Sequence, residues 1–330
     1  MEPIILSALT PIVTAPEAAL YDLGDGIACF EFRSKSNSIS TGVANLLRET
    51  FSEHMKNFDG LVVGNQAKNF SVGADLTRLR DLSKNGDIEG IRQISARGEA
   101  LYKILKAYPK PVVSAPYRNT LGGGLELVIQ SHRRVAHADV RMGLVEAGVG
   151  LLPGGGGLKE TALYALTLPV EQREQALLIG FDKQIGFDKL ICKKKSRNAE
   201  EAFSMGYLRE GDVVVDDLSL LLSTAKEICM EMPPRPAYVE QTVELPGAPM
   251  YHKLMSHADQ LIDEGVLGPY DHVIAGYIAA VLTGGDSPAR VATEQELLQA
   301  EQDGFAQLGS HPRTYERILH LLEHGELLKN

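Results

Sequence analysis

Residues 121–157 read LGGGLELVIQSHRRVAHADVRMGLVEAGVGLLPGGGG, with three consecutive glycines near the start and four at the end. Between them stand Glu126 and Glu146, each in an otherwise apolar context. A triple glycine ahead of the helical pattern LELVIQSH leaves backbone N–H groups free at a helix N-terminus, where no carbonyl of the helix can accept from them. Such donors suit an anion or a developing oxyanion, and glycine lets a ligand approach the main chain closely. A carboxylate in apolar surroundings titrates above its ordinary range, which equips it for proton transfer near neutral pH. Taken alone, the stretch reads equally well as a tight turn feeding an ordinary helix with solvated glutamates.

Working outward, each flank has its own pattern. After the turn Gly24-Asp25-Gly26 the chain alternates through Ile27-Ala28-Cys29-Phe30-Glu31-Phe32-Arg33, which predicts a strand closed by a hairpin turn. The third glycine of a dinucleotide loop is missing there. Ser34 to Ser40 form a polar loop, and Ser40 or Thr41 is placed to cap a helix over residues 41–55. Leu61-Val62-Val63-Gly64 is a wholly apolar strand of the buried kind, and Pro111-Val112-Val113-Ser114-Ala115 is another. Between these strands, residues 69–76 (NFSVGADL) make a glycine turn opening a helix with Asp75 at its start, a second strand-to-helix junction with free amides. One charged helix carrying Arg78, Arg80, Arg92 and Arg97 is expected to follow, mainly as a solvated face.

Composition narrows the class. At 330 residues, 44% hydrophobic and 23% charged, the chain can bury a real core. A net charge of −10 argues against general nucleic-acid binding. Cys29, Cys192 and Cys229 form no CxxC pair and read as buried or free thiols of a reducing compartment. No run of about 18 apolar residues and no signal pattern is present, so no membrane association and a cytoplasmic location are expected. No GxGxxG follows a predicted strand, so no NAD site and no cofactor are expected. His320 and His324 are four apart on a helix, but no HExxH or third ligand accompanies them; His252 and His257 read the same way, and no metal is expected.

Past the glycine run, residues 158–166 and 171–190 read as helical. Lys193-Lys194-Lys195-Ser196-Arg197 is a basic patch, followed by a helix over residues 199–205. The proline clusters at 232–236 and 245–249 are the strongest breakers and mark a boundary. Beyond them, helices are expected over 251–264 and 272–283, from the capping box Thr293-Glu294-Gln295-Glu296, and from Pro312 through His324. The division expected from these signals is an N-terminal arm (1–18), a catalytic core (19–231) and a helical C-terminal region (232–330).

The succession F-S-x-G-A-D-L (Phe70 to Leu76), a P-V-V strand, L-G-G-G-x-E (Leu121 to Glu126) and G-L-V-E-x-G-V-G-L-x-P-G-x-G-G (Gly143 to Gly157) resembles the crotonase superfamily of acyl-CoA enzymes, typified by enoyl-CoA hydratase. The likeness covers about residues 19–215. It implies an α/β fold, a crotonase-like β-β-α spiral core with a helical C-terminal extension. By motif position it assigns the backbone N–H groups of Ala74 and Gly123 to an oxyanion hole for the thioester carbonyl. Fixed amides of this kind contribute roughly 3–4 kcal/mol per donor to such a transition state. Glu126 and Glu146 match the two catalytic carboxylates of the hydratases, Glu126 mainly for the water and Glu146 mainly for the Cα proton, titrating as a coupled pair. Asn37, Ser38, Gly73, Asp75 and Gly122 fall where the family meets the CoA thioester, which is substrate rather than cofactor. Thr77 stands where a phosphate-binding lysine is common, with Arg78 and Arg80 nearby.

The tail, with VLTGGD (Val281 to Asp286), TEQELLQAE and the ending ERILHLLEHGELLKN, resembles the C-terminal, hydratase-like half of bacterial bifunctional 3-hydroxyacyl-CoA dehydrogenase/enoyl-CoA hydratase proteins. The resemblance implies hydration of 2-enoyl-CoA in fatty-acid β-oxidation. Within the same fold, Δ3,Δ2-enoyl-CoA isomerisation is the alternative, since Glu146 alone can run it. A non-catalytic acyl-CoA-binding subunit of a dehydrogenase assembly is the alternative of another class. Partners implied are an acyl-CoA thioester and either a homo-oligomer (trimer or hexamer) or a separate dehydrogenase subunit.

Overall fold

The computed structural model describes residues 2–185 and 195–330. Met1, the expected end of the helix past Ile185, Cys192, Lys193 and Lys194 lie outside the described residues. Two compact units are each drawn from three stretches rather than from consecutive blocks: Met1–Asp75, Ala100–Gly143 and Ser196–Val239 form the first, and Leu76–Glu99, Leu144–Lys195 and Glu240–Asn330 the second. Among the described residues no helix is long and apolar enough to cross a membrane.

The first unit is built on a seven-stranded sheet in the order Val13–Ala15, Ala18–Asp22, Ile27–Phe32, Gly60–Val63, Val112–Ser114, Arg133–His137, Val213–Val215. The first three strands pair antiparallel, and the rest are parallel. The expected hairpin closes at residues 22–27, where Asp22 Oδ1 accepts the Gly24 N–H at 2.7 Å and Gly24, Asp25 and Gly26 all have positive φ. Gly60–Val63 and Val112–Ser114 are buried along their whole length, as parallel strands covered on both faces must be. The Leu221–Glu231 helix covers one face, with Cys229 Sγ so close that a Cβ on Gly60 would meet it at 2.4 Å.

The segment expected as an N-terminal arm carries structure of its own. Val13–Ala15 is the sheet's first strand, and Leu6 is fully buried with its N–H bonded to Gln66 Oε1 at 2.8 Å. A three-residue edge strand fits between Pro11 and Pro16 because proline is tolerated at a sheet edge. The single charged helix is corrected. It is two helices, Leu76–Lys84 and Ile88–Ala107, broken at Gly86 (φ +62°), where Asp87 Oδ1 takes the Gly90 N–H at 2.9 Å to start the second.

Two buried polar features of this unit set its stability. Arg134 and Asp212 pair at 2.8 Å almost out of solvent, and Asp212 also accepts from the backbone N–H of Arg134 (3.0 Å) and Arg209 (2.8 Å). Asp212→Ala would leave the guanidinium buried without its carboxylate and is expected to cost about 3–5 kcal/mol. Urea unfolding measures it, and a loss below about 1 kcal/mol would refute this role.

His132 is held neutral: its Nδ1 accepts the Val112 N–H at 3.0 Å, while Nε2 faces the Lys106 carbonyl at 3.1 Å. Burial, reinforced by Arg235, lowers its pKa from 6.5 to about 4. The unfolded chain therefore binds this proton first as pH falls. Stability from His132 is complete above about pH 6.5 and is lost on descending to about pH 4, by on the order of 2–3 kcal/mol. His132→Gln should flatten that acid limb in urea midpoints taken at pH 7.5 and 4.5 (both roughly bracketing the window). An unchanged limb would assign the acid sensitivity elsewhere.

The second unit is helical. Gly157–Thr167, Val170–Ile185, Ala248–Asp263, Pro269–Thr283, Glu294–Gly309 and Pro312–His324 share one apolar core with Leu158, Phe181, Ile274, Ile278 and Phe305 among its members. The predicted capping box forms: Thr293 Oγ1 accepts the Glu296 N–H at 3.2 Å, and Glu296 Oε2 accepts the Thr293 N–H at 2.9 Å. One strand pair was not expected, Thr242–Leu245 against Arg290–Thr293, antiparallel. Its first member lies between the two proline clusters and reads as part of a breaker.

Candidate active site

The glycine turn is set up by a short parallel pair, Asn119–Leu121 with Arg141–Gly143. The chain leaves Leu121 into Gly122, whose φ of +52° and ψ of −132° suit only glycine. The Gly122 N–H is taken by the Gly143 carbonyl at 2.9 Å. The Gly123–Gln130 helix then begins, with the N–H groups of Leu125 and Glu126 both turned back on the Gly122 carbonyl. Every residue of this helix is buried, so it has no wet face, and Glu126 is only 4% exposed. The reading of a solvated glutamate on an ordinary helix fails on that observation.

The second turn packs on the first. Ser71 donates to the Asn119 carbonyl at 3.1 Å and accepts from Leu121 at 3.0 Å, and the Ile39 N–H reaches the Gly73 carbonyl at 2.8 Å. Gly73 has φ +98°, and a Cβ on it would lie 3.0 Å from the Leu121 carbonyl oxygen and 3.3 Å from Gly123 N. A Cβ on Gly124 would meet Ser71 Cβ and Oγ at 2.5 Å. Ala74 forms a parallel bridge with Ile39, a pairing that uses its neighbours and turns its own N–H away. Among the described residues nothing accepts from the backbone N–H of Ala74 or of Gly123.

Three groups converge on one point beside Gly123. A Cβ built there would lie 3.1 Å from Tyr102 Oη, 3.6 Å from Ala74 N and 3.9 Å from Glu126 Oε2. The space is therefore bounded by a free amide, a phenol and a buried carboxylate. An oxygen bearing developing negative charge fits beside the amides, with the Glu126 carboxylate next to it. Tyr102 was not singled out in the sequence, where it is one apolar-face residue of a helical ALYKILKA run; only the fold turns its hydroxyl toward Gly123.

Asn37 is tied by hydrogen bonds to the loop that carries Ala74. Asn37 Nδ2 donates to Asn65 Oδ1 at 2.9 Å and to the Asn69 carbonyl at 3.0 Å, and the Asn37 carbonyl accepts from Ser71 Oγ at 2.7 Å. Asn65 Nδ2 in turn donates to the Phe70 carbonyl at 3.0 Å, and Tyr117 Oη donates to Asn65 Oδ1 at 2.7 Å. The N–H groups of Asn37 and Ser38 are spent inside their own loop. Ser40 does cap the next helix, its Oγ accepting from Val43 N–H at 3.2 Å. Asn65 and Tyr117 carry no motif and were missed for that reason.

In the second unit, Glu146 starts a one-turn 3-10 helix, Glu146–Val149, closed by Gly150 at φ +87°. Its side chain is half-buried. Of the other candidates, Asp75 and Thr77 are exposed, Arg80 pairs with Asp81 at 2.6 Å, and Arg78 is exposed with no described partner. His252 and His257 face Asp286 (2.9 Å) and Asp182 (2.7 Å). Among the described residues no group of three metal-ligating side chains comes together.

A family model described as enoyl-CoA hydratase/isomerase matches residues 26–160, the stretch that holds both glycine turns and both glutamates. An enoyl-CoA hydratase/isomerase from Xanthobacter autotrophicus Py2 superposes over 94% of this chain and 95% of its own, with TM-score 0.56 at 15% identity. The fold is that of the crotonase superfamily, and residues 26–160 carry the family match. The mixed α/β layout with a helical C-terminal region is that of these crotonase-fold structures. Among curated relatives, the "Probable 3-hydroxyacyl-CoA dehydrogenase" of Bacillus subtilis (strain 168) is 35% identical over 95% of the chain, which spans 39% of that relative's length. A "Short-chain-enoyl-CoA hydratase" of Clostridium acetobutylicum is 29% identical over 51% of the chain and 55% of its own.

Proposed function

We propose that this chain catalyses the reversible syn hydration of 2-enoyl-CoA thioesters to 3-hydroxyacyl-CoA in fatty-acid β-oxidation. The observation that carries the reading is the buried Glu126 carboxylate beside the free amides of Ala74 and Gly123. In the proposed reaction the thioester oxygen accepts from those two N–H groups as negative charge builds on it. Glu126 orients a water and takes its proton as the water oxygen bonds to Cβ. Glu146 delivers a proton to Cα. Hydration leaves the carbons with no net change in oxidation, so the step calls for no redox cofactor. The 3-hydroxyacyl thioester is what a 3-hydroxyacyl-CoA dehydrogenase would oxidise next, which fits the name of the Bacillus relative and makes a dehydrogenase region or subunit the proposed partner.

The test is loss of the absorbance of the conjugated enoyl thioester, with crotonyl-CoA and longer 2-enoyl-CoAs. Turnover at any of these chain lengths supports hydration. If no 2-enoyl-CoA turns over but 3-enoyl-CoA gains the conjugated absorbance, the enzyme is an isomerase. If neither reacts while CoA esters still bind, the chain is a binding subunit.

A further inference from the structure

We propose that Thr314 and Arg317, on the Pro312–His324 helix, are positioning residues for Glu146. This rests on the role given to Glu146 above.

A single turn of 3-10 helix has few internal bonds to hold its direction. At its ends, the Gly148 N–H reaches the Val145 carbonyl (3.1 Å), the Gly150 N–H the Ala147 carbonyl (3.0 Å) and also that of Glu146, and the Leu151 N–H the Glu146 carbonyl (3.1 Å). Further hydrogen bonds come from the C-terminal helix. Arg317 Nη1 donates to the Ala147 carbonyl at 3.1 Å, one residue past Glu146. Thr314 Oγ1 donates to the Gly150 carbonyl at 2.7 Å, at the turn's far end. Between these points Leu327 closes over Gly148, where a Cβ would meet Leu327 Cδ1 at 2.7 Å. Two side chains one helical turn apart thus hold two carbonyls of the turn that Glu146 opens, one within it and one at its end.

The clamp is itself fixed. Asp271 Oδ1 accepts from Arg317 Nη1 at 2.7 Å, and its Oδ2 takes the Gly268 N–H at 2.8 Å. Arg317 Nε donates to Asn330 Oδ1 at 2.8 Å, and the guanidinium lies 5.1 Å from the centroid of the Tyr270 ring. Tyr270 Oη is 2.6 Å from Thr314 Oγ1, so the two clamping side chains share one brace. Arg317 is 1% exposed and Thr314 0%. A buried ion pair adds little stability over an apolar pair of equal volume. What the planar guanidinium contributes is direction: Nη1 is aimed at Ala147 and Asp271 and Nε at Asn330, while Nη2 is buried with no hydrogen-bond partner. A catalytic carboxylate displaced by about 1 Å loses on the order of a hundredfold in rate, and this clamp prevents such a displacement.

The experiment compares Thr314→Val with Thr314→Ser in the full chain, beside Arg317→Lys and Glu146→Gln, measuring kcat and KM for a 2-enoyl-CoA together with thermal unfolding. Valine keeps the volume and loses the hydroxyl; serine keeps the hydroxyl and loses a methyl. Positioning requires Thr314→Val to lower kcat by about 10- to 100-fold with KM within about threefold, while Thr314→Ser stays near wild type. A packing role gives the reverse order, with serine the worse, and overturns the proposal. Arg317→Lys should lower kcat in the same way even where Thr314→Val folds poorly, and wild-type kcat in it also overturns the proposal. If Glu146→Gln abolishes turnover and the clamp variants do not slow it, the clamp alone is refuted. If Glu146→Gln is itself silent, the role of Glu146 fails and the clamp falls with it.

Discussion

Glu126→Gln is expected to lower kcat for 2-enoyl-CoA hydration by about 10²–10⁴-fold, with KM changed far less. Glutamine keeps the shape of the side chain and one oxygen, so the all-buried Gly123–Gln130 helix has no reason to repack around it. What disappears is a base beside the point where Tyr102 Oη and the Ala74 amide also converge. Glu146→Gln should produce a loss of similar size. Because the two groups would act on one addition, the double variant should lose little more than the worse single one. Steady-state kinetics of the three variants, with CoA-ester binding measured separately, decides it. Turnover within about threefold of wild type for Glu126→Gln would remove this carboxylate from the chemistry. Activity surviving Glu126→Gln toward 3-enoyl-CoA, but not 2-enoyl-CoA, would assign Glu146 to an isomerase.

Much of this was legible because glycine and buried apolar runs are strong local signals. Gly122, Gly73 and the hairpin glycines occupy positive φ where other residues are strained, so their places in the sequence mark turns directly. Leu61-Val62-Val63 and Val112-Val113 could only be buried strands. The capping box at Thr293 names its own helix start. The parts not legible are those whose meaning depends on distant residues. Tyr102 falls in the same apolar run as Leu101 and Leu105, and no periodicity says where its hydroxyl points. Thr242–Leu245 pairs with a partner some fifty residues on, between breakers that hide it. Asn65 braces the Ala74 turn through Phe70, and the bond that ties Tyr117 to Asn65 spans 52 residues. The tail, read as an appendage, contains the side chains that hold the Glu146 turn.

The second large effect is expected at the glycines themselves. Gly123→Ala should cost about 10²–10³-fold in kcat, the size found when one oxyanion donor is lost. The added methyl would lie 3.6 Å from Ala74 N, in the space an oxygen must occupy to accept from that N–H. It would also press on Tyr102 Oη at 3.1 Å, tight enough to shift one or the other. These two consequences separate in a double variant. Tyr102→Phe removes the hydroxyl and the crowding, so Gly123→Ala with Tyr102→Phe should regain stability lost to the clash, yet the methyl still fills the hole and turnover should stay low. Gly73→Ala reaches the same end by another route. Its φ of +98° strains any residue with a side chain, and its Cβ would sit 3.0 Å from the Leu121 carbonyl oxygen, pushing apart the two turns that carry the amides. Thermal unfolding reports the strain and the 2-enoyl-CoA assay reports the hole. If Tyr102→Phe restored turnover to Gly123→Ala along with stability, the loss would come from crowding at the helix start, and the Ala74 and Gly123 amides would not be where the thioester oxygen binds.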